Sequence, residues 1–595
     1  MSAAGAAVPP GLGRLRVQVP DAPTDGGAAL GPTADCPPLS PVSQIFMGMG
    51  EATPDIYAII RLRGNATVDE MAVCMRRLVD AHDRFRMRPT RRGGIWCNQL
   101  VEDFDIYSCM KEVTLEGKNI DAAFNGYVSQ LMSGPPLSEE ARPPWDCSVV
   151  HFASDPGHTD VLLRCSHIIG DGQLFMQLLK DVMEEYEEVE IDEILGGSAS
   201  DDAGSVASDG GASEAGCSSG GGASSAGSAR SSFSGGQRGP SSPLLIRAVR
   251  HSTAFLPPPS VERAERERRK QLERQERART NGGGRRGLAR VVAIARRQLA
   301  MLWGWITSAL FVLTFPLRRA DPVNVVKASP EEMRGPRRFA SITLPLDELR
   351  HVSKLLRVTI NTLAVSCLAG GLRRHLLRQP GAAEGRGGAG VPDSLLLCAL
   401  VDTRAMRRAK AEAAAAKGAA APLSGGCNTL SFMGVPLHTG PAHPLVRLAS
   451  VGAALEWVRG SLCVLFAILM PPVIQFFVRD AGAASRLMIA LLPAKTTVGF
   501  SNMRGPVKRV MLGGYPVEKM YNGVQPSAFG CFLSLMSYDN QVTLVNSCYA
   551  TKSTRPQDLL DCIREEWRAL KAAATAPASG SDGGAAALKA KAKAV

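Results

Sequence analysis

The sequence lacks several of the patterns that most readily assign a function. Its 14 cysteines include no C-x2-C pair, and its first residues lack a basic segment followed by an apolar one. These absences argue against a zinc site and against secretion. It also lacks a G-x4-G-K-[ST] element, the phosphate-binding loop of many nucleotide-binding proteins. We therefore expect a cytosol-facing protein with reduced, mostly buried thiols, no metal and no resident cofactor.

Two short motifs match known functional patterns but lie in the wrong context. Residues 216–220 read G-x-S-x-G, the pattern of a hydrolase nucleophile elbow, but they lie in a Gly/Ser/Ala tract with no predicted strand before them. Residues 385–390 read G-x-G-x-x-G, yet they precede a predicted strand, which inverts the dinucleotide-binding arrangement. We interpret both as loops.

The net charge of +12 is concentrated in one stretch. Residues 262–297 contain thirteen Arg or Lys and five Glu, an excess of eight positive charges. We expect no nucleic-acid partner, because no aromatic residue interleaves the basic ones and no nucleic-acid-binding signature occurs. Basic residues beside an apolar membrane segment gain roughly 1 kcal/mol each at an anionic leaflet. The stretch is therefore predicted to adhere to a membrane surface.

Two apolar runs are candidates for membrane contact. The run from Leu299 to Phe315 is 17 residues long. As a helix it would measure about 26 Å, which is marginal against a hydrocarbon core of about 30 Å. The run from Leu462 to Val478 contains Pro471-Pro472, and we expect these prolines to break a straight helix. Both runs could instead be buried core helices, and the first could be a true single span.

Composition divides the chain into five parts. Residues 1–36 and the tail of residues 573–595 are rich in small residues and are predicted to be disordered. Residues 37–194 and 323–572 form an N-terminal and a C-terminal half, each with enough hydrophobic residues for a core. Between the halves, residues 195–322 form an insertion that consists of a Gly/Ser linker, the basic stretch and the first apolar run.

The most informative stretch is His167-Ile-Ile-Gly-Asp171-Gly172. Residues 160–165 before it are apolar-rich and predict a buried strand. Residues 173–188 after it carry apolar side chains at helical spacing, and the acidic run from Asp181 to Glu193 is typical of a solvated helix face. The pattern therefore predicts a strand-to-helix turn. His167 would lie at the strand end and Asp171 at the first helical turn, where free backbone N–H groups favour a carboxylate.

The residue types of this turn are suited to acyl transfer. A neutral histidine can take a proton from an alcohol as the alcohol attacks a carbonyl. Asp171 could hold the imidazole directly, or it could pair with an arginine and brace the turn. A structural histidine without a chemical role is the alternative interpretation of so short a motif. Metal ligation is disfavoured, because Asp171 alone does not complete a ligand set.

Further short blocks follow one another along the chain. The N-terminal half contains Pro38-Leu-Ser-Pro41 with Phe46, Arg84-Phe-Arg-Met-Arg88 with Trp96, and Pro143-Pro-Trp145. The C-terminal half contains Thr359-Ile-Asn361, Leu400-Val-Asp-Thr-Arg404, Asn428 with Pro436-Leu437, Ser501-Asn502-Met-Arg-Gly505-Pro506, and Ser537-Tyr538. In their shared order these blocks resemble the wax ester synthase/diacylglycerol acyltransferase family.

The resemblance implies an α/β (α+β) fold with two subdomains of the CoA-dependent acyltransferase type. Mixed sheets flanked by helices would enclose an active-site tunnel between the halves. The implied activity is O-acyl transfer from acyl-CoA to a lipid alcohol, either a long-chain fatty alcohol or diacylglycerol, which gives wax esters or triacylglycerol.

The resemblance also assigns roles to residues. His167 would be the general base, Asp171 would brace the turn through Arg404, and Gly172 would let the backbone turn tightly into the helix. Asn361 and Asn502 are candidate donors to the oxyanion, and residues 501–506 are expected to form a loop over the tunnel.

The chain departs from the family pattern at three positions. Ser166 replaces the first of two adjacent histidines, Thr362 replaces the aspartate of an Asn-Asp pair, and Arg504 replaces a proline. A catalytically degenerate lipid-surface protein of the same fold is therefore an alternative. Another H-x3-D acyltransferase with a different acceptor is a second alternative.

Topology constrains the membrane contact. A single span at the run from Leu299 to Phe315 would place His167 and Asn361 on opposite sides of the bilayer, and a shared active site could not form. We therefore predict that this run lies in the interface or re-enters, with Arg296, Arg297, Arg318 and Arg319 at the headgroups. The expected location is the cytosolic face of the endoplasmic reticulum or a lipid droplet.

Overall fold

The computed structural model describes residues 36–139, 142–189, 245–248, 314–379, 391–402, 428, 430–552 and 555–576, together with most positions between 295 and 311. The basic stretch up to residue 294, Arg297 and Arg404 lie outside the described residues, so what was predicted for them stays a prediction. The cysteines within the described segments are buried, as expected.

The helices begin at capping residues that the sequence supplies. Thr67 and Glu70 form a reciprocal capping box, Asp171 caps one helix and Thr359 another. In chain order the helices are α1 (Pro41–Met47), α2 (Val68–Ala81), α3 (Ile120–Ser133), α4 (Gly172–Leu179), α5 (Leu346–Leu356), α6 (Ile360–Leu377), α7 (Pro444–Gly460), α8 (Cys463–Phe477), α9 (Ala481–Leu491) and α10 (Gln557–Thr575). A short apolar helix, Leu302–Phe311, precedes α5.

The strands form two large mixed sheets and one hairpin. In chain order they are β1 (Asp55–Arg63), β2 (Met87–Arg92), β3 (Ile95–Leu100), β4 (Met110–Leu115), β5 (Trp145–Phe152), β6 (Asp155–Ser166), β7 (Met183–Val189), β8 (Leu245–Ala248), β9 (Arg337–Pro345), β10 (Ser394–Asp402), β11 (Leu430–His438), β12 (Val498–Arg504), β13 (Val510–Leu512), β14 (Tyr515–Val524), β15 (Cys531–Tyr538) and β16 (Gln541–Tyr549).

The first sheet contains strands from both halves of the chain. Its order is β4-β5-β6-β1-β14-β13-β7-β8, and β13 and β14 come from the C-terminal half. Strand β14 pairs antiparallel with β1 along most of its length, from Val517 beside Leu62 to Val524 beside Ile56. The N-terminal half therefore completes its sheet only with chain from the C-terminal half.

The second sheet belongs to the C-terminal half alone. Its order is β11-β10-β12-β15-β16-β9, with parallel pairs β10–β12 and β12–β15. Helices α5, α6, α7 and α10 pack on it around one buried hydrophobic cluster. The two mixed sheets with flanking helices confirm the predicted fold class.

The two halves share core and contacts. Met503, Leu512 and Met520 of the C-terminal half lie in the hydrophobic core of the first sheet. On the other side, Ser129 of α3 accepts a hydrogen bond from the backbone of Phe339 in β9 at 3.0 Å. The halves therefore pack as one body, and the boundaries proposed for them from composition stay predictions.

The helix predicted for residues 173–188 was wrong in its second part. Helix α4 ends at Leu179, and the acidic segment continues as strand β7, with Met183 beside Leu512 of β13. Met183 and Tyr186 are buried there. Local spacing suggested a continuing helix, but pairing with a strand from the distant half offers this segment a complete set of backbone hydrogen bonds.

The expected break at Pro471-Pro472 was also wrong. Helix α8 runs through both prolines. A proline at position 471 lacks the N–H that would bond the carbonyl of Ala467. Ser431 of β11 donates its hydroxyl to that same carbonyl, so a neighbouring strand satisfies the group that the proline leaves open.

Among the described residues, only pairs of consecutive helices reach the length of a membrane span. No single helix is both long and apolar enough to cross a bilayer. Two consecutive pairs would suffice together by length and composition, α5 with α6 at a bend of 99° and α7 with α8 at 58°.

Candidate active site

His167 lies at the junction of the two halves, directly after β6. Its backbone N–H donates to Pro54 O at 3.0 Å, which ties the end of β6 to the residue that precedes β1. Two neighbouring strand residues reinforce this end, since buried Arg164 donates to the Asp55 carboxylate at 2.6 Å. The predicted strand end is confirmed, and the imidazole is held by two well-anchored strands.

Asp171 caps the helix that follows. Its Oδ1 accepts a hydrogen bond from Leu174 N at 3.0 Å, and the residue is buried. The strand-to-helix turn predicted from the motif is present. The carboxylate lies where exposed N–H groups of the first helical turn stabilise negative charge.

The imidazole of His167 is almost completely buried and lies beside an aromatic ring. It is 3% exposed, and its ring centroid is 5.1 Å from that of Phe46. Burial lowers the pKa of His167 to about 4, against the opposing effects of the Asp171 charge and of the Asn428 side chain. The ring is therefore neutral near pH 7, which is the form that accepts a proton.

Asn428 supports the turn from the C-terminal half. Its Nδ2 donates to His167 O at 2.5 Å and to Ser43 Oγ at 2.9 Å. Its Oδ1 and the Nδ1 of His167 are both buried and make no hydrogen bond with a described residue. In the sequence, Asn428 belongs only to one of the blocks of the family resemblance and has no assigned role. Its contact with His167 becomes visible only in the folded structure.

Two cavities meet at the imidazole. We call the first the apolar chamber, a cavity of about 40 Å³ lined by His167 and a set of large apolar side chains that includes Phe46, Phe432, Met488, Ile489 and Phe529. We call the second the polar pocket, a cavity of about 60 Å³ lined by the polar residues His167, Asp171, Asp402, Ser501, Asn502 and Asn522 and by apolar residues that include Leu400, Leu430 and Val524. The histidine thus faces apolar surface on one side and amide, hydroxyl and carboxyl groups on the other.

A larger cavity adjoins the apolar chamber. This wide cavity has a volume of about 920 Å³, and both halves contribute to its walls, for example Glu51 and Lys327. It shares Met49, Ile489 and Ser527 with the apolar chamber. The two cavities are therefore neighbours, and His167 lines the apolar chamber.

Of the two predicted oxyanion donors, one lines the polar pocket and the other does not. Asn502 lines the polar pocket, and its Nδ2 donates to Asn361 Oδ1 at 3.0 Å. Asn361 does not line the polar pocket and contacts it through this hydrogen bond with Asn502. Arg404 lies outside the described residues, although Asp402, two positions earlier, lines the same pocket. The roles proposed for these three residues stay predictions.

Two expectations about the walls of the pocket were wrong. Gly172 has an ordinary helical backbone, and it is small because Met503 approaches it: a Cβ there would lie 2.5 Å from the Met503 sulfur. Residues 501–504 are not a loop but the end of strand β12, paired in parallel with β15. Pairing with β15 satisfies the backbone that a loop would leave open.

The three departures from the family pattern have distinct positions. Ser166 ends β6, is completely buried, and its Oγ makes no hydrogen bond with a described residue. Thr362 lies at the start of α6, with its hydroxyl 2.9 Å from that of the capping residue Thr359. Arg504 is exposed at the end of β12. Ser166 is thus the departure next to the imidazole.

Sequence reasoning missed Asn522. This residue lies in β14, is 4% exposed and lines the polar pocket with His167. It belongs to no motif, and the only signal in the sequence is a polar residue among the buried residues at the end of that strand. Its proximity to His167 depends on the pairing of β14 with β1 across the two halves.

The fold is of the acyltransferase type, with two halves joined by a shared mixed sheet. The structure aligns with the wax ester synthase/diacylglycerol acyltransferase from Marinobacter aquaeolei VT8 with a TM-score of 0.50 and 14% identity. The alignment covers 90% of this chain and 99% of that one. At this identity the likeness concerns the fold.

Sequence comparisons narrow the class. Residues 426–571 match the family model for the WS/DGAT C-terminal domain. The chain is 20% identical to wax ester synthase/diacylglycerol acyltransferase 6 of Arabidopsis thaliana over 90% of its length and 93% of that protein. It is 24% identical to number 7 of the same plant, over 46% of its own length and 58% of the other. The chain is thus similar to the wax ester synthase/diacylglycerol acyltransferase family along most of its length.

Proposed function

We propose that this protein transfers a fatty acyl group from acyl-CoA to a lipid alcohol, with His167 as the general base. The acceptor would be a long-chain fatty alcohol, diacylglycerol or both, and the products wax esters or triacylglycerol. The observation that carries the proposal is a neutral, buried imidazole between an apolar and a polar cavity. An acyl chain fits the first environment, and the polar reacting groups fit the second.

The reaction needs one base and no covalent acyl-enzyme. His167 removes the proton of the acceptor hydroxyl as its oxygen attacks the thioester carbonyl, and then protonates the departing CoA thiolate. Nδ1 of the ring is buried, so we assign proton transfer to Nε2. Asp171 orients the turn by capping α4 and does not itself need to exchange a proton.

We place the CoA end of the donor in the wide cavity. Three of its lining residues, Lys327, Arg334 and Arg337, carry positive charge, balanced in part by Glu51 and Asp321. Cationic side chains favour phosphate groups. The acyl chain would then extend from this cavity through the apolar chamber towards His167.

We propose that the acceptor arrives from a lipid surface. The helix Leu302–Phe311 and helix α8 expose large apolar side chains, among them Trp303, Leu310, Phe476 and Phe477. An apolar cavity between these helices, lined by Phe311 and Phe466, shares Phe432 with the apolar chamber. Attachment in the interface of the endoplasmic reticulum or of a lipid droplet, on the cytosolic face, fits this arrangement.

A degenerate lipid-surface protein is the second candidate, because Ser166 occupies the first histidine position of the motif. One experiment decides between the two. The full chain and its His167→Ala variant are expressed in yeast that lacks neutral-lipid synthesis, and the lipids are separated by thin-layer chromatography. Wax ester or triacylglycerol from the wild type alone supports the enzyme. No product from a folded, membrane-bound wild type would refute it.

A further inference from the structure

One side chain that lines the polar pocket, that of Asn522, has no hydrogen-bond partner among the described residues. Both the Oδ1 and the Nδ2 of Asn522 are buried and make no hydrogen bond with a described residue. The residue is 4% exposed and lines the pocket together with His167 and Asp171. A carboxamide removed from water without a partner loses its hydration and gains nothing in return.

The position of Asn522 is rigid. Its backbone pairs with Ala58 in the ladder between β14 and β1, so the strand is anchored in the first sheet. Val524, two residues further on the same face of the strand, also lines the polar pocket. The carboxamide therefore projects into the pocket from a fixed strand and not from a loop.

We propose that Asn522 is a catalytic residue that donates a hydrogen bond from Nδ2 to the acyl carbonyl oxygen. The inference rests on the proposed acyl transfer. As the acceptor oxygen bonds to the thioester carbon, the π electrons of the carbonyl move to its oxygen and the hydroxyl proton moves to His167. The C–S bond then breaks, the oxyanion returns to a carbonyl, and the thiolate takes the proton from His167. Asn522 stabilises the oxyanion between the two steps.

Asn522 is better suited to this role than the two asparagines that the sequence suggests. Asn502 is exposed, and its Nδ2 already donates to Asn361. A donor is worth most where water is excluded and where it needs no reorganisation before the charge develops. Of these three asparagines, Asn522 alone is both buried and unengaged among the described residues.

The test separates catalysis from structure. Asn522→Leu replaces an unsatisfied buried amide by an apolar side chain of similar shape, so its melting temperature is expected to be equal to or above that of the wild type. Turnover per folded enzyme is expected to fall about 10²–10³-fold with little change in KM for acyl-CoA. A merely structural asparagine would lose stability and keep its turnover.

Asn546 provides the matched control. It is 1% exposed in β16, and its Nδ2 donates to Pro556 O at 2.9 Å while its Oδ1 lies 3.0 Å from Cys531 Sγ. Asn546→Leu is expected to melt at a lower temperature, because Pro556 O loses its donor, with unchanged turnover of the folded fraction. Active wild type with unchanged turnover in Asn522→Leu would overturn this inference alone. Inactive wild type would overturn the proposed function as well.

Discussion

The two cavities at His167 differ in the forces that their walls can exert. The apolar chamber offers Phe46, Phe432, Phe529 and other apolar groups, which bind by contact and have no preferred direction. The polar pocket offers Asp171, Asn522 and neighbouring polar groups, which act on charge at defined positions. One wall can therefore select a substrate by size, and the other can stabilise the developing charge of the reaction. Each cavity can be changed separately.

Removal of the shared residue should have the largest effect. His167→Ala deprives both cavities of the base and is expected to lower ester formation about 10²–10⁴-fold. The measurement is turnover per folded enzyme, with folding followed by circular dichroism. His375→Ala is the control, because His375 is buried in α6 but lines neither cavity. Equal turnover in the wild type and His167→Ala would contradict the base role.

A methyl group at Gly172 should disturb the polar side. Its Cβ would lie 2.5 Å from the Met503 sulfur, and such overpacking costs about 1–3 kcal/mol. Gly172→Ala is expected to lower the unfolding free energy by that amount in chemical denaturation. Adding Met503→Ala should cost less than it does in the wild type, since the clash is gone. Strictly additive effects in this double-mutant cycle would show that the two residues do not interact.

A larger side chain on the apolar side should change selectivity and not chemistry. Ile489 lines both the apolar chamber and the wide cavity. Ile489→Phe narrows their junction and is expected to shift the preference about tenfold towards shorter acyl chains, a size typical of small steric changes in apolar sites. Competition between acyl-CoA species of two lengths measures this. Leu487→Phe, at an exposed position of the same helix, should leave the ratio unchanged.

Two substitutions at Asp171 can separate its role as a helix cap from a direct role in the reaction. Asp171→Ala removes the side-chain acceptor at Leu174 N and is expected to cost about 0.5–2 kcal/mol of stability together with activity. Asp171→Asn retains a capping oxygen and should recover most of the stability. Denaturation and turnover are measured on both variants. An Asp171→Ala protein of full stability but without activity would indicate a direct chemical role.

Protonation of His167 should have the smallest effect on turnover and stability near neutral pH. Since the pKa of His167 is lowered to about 4, turnover should persist under mildly acidic conditions and fall as the pH approaches 4. The unfolded chain binds a proton to this histidine at higher pH than the folded one does. His167 therefore does not reduce the free energy of unfolding above about pH 6.5, and this free energy decreases as the pH falls from there to about 4. His167→Gln should lose this part of the slope, and an unchanged slope would contradict the assignment.

Local pattern was sufficient for much of the fold. The apolar run before the motif predicted the strand that became β6, and the turn after it led into a helix as predicted. The order of the blocks led to the family that the sequence comparisons match and to the correct fold class. The same reasoning failed where distant chain intervenes. Strand β7 was taken for helix, and residues 501–504 for a loop, because their pairing partners β13 and β15 are far away or follow later in the sequence.

His167 and Asp171 were identifiable from the sequence because a strand end and a helix cap are set by neighbouring residues, through backbone hydrogen bonds that span a few positions. The positions of Asn428 and Asn522 were decided only by the tertiary structure. Both belong to the other half of the chain. Asn522 lines the pocket of His167 because β14 completes the N-terminal sheet, and Asn428, just before β11 of the second sheet, donates to the backbone carbonyl of His167. Long-range pairing of this kind depends on the packing of two hydrophobic surfaces at once, which no local pattern of residues records.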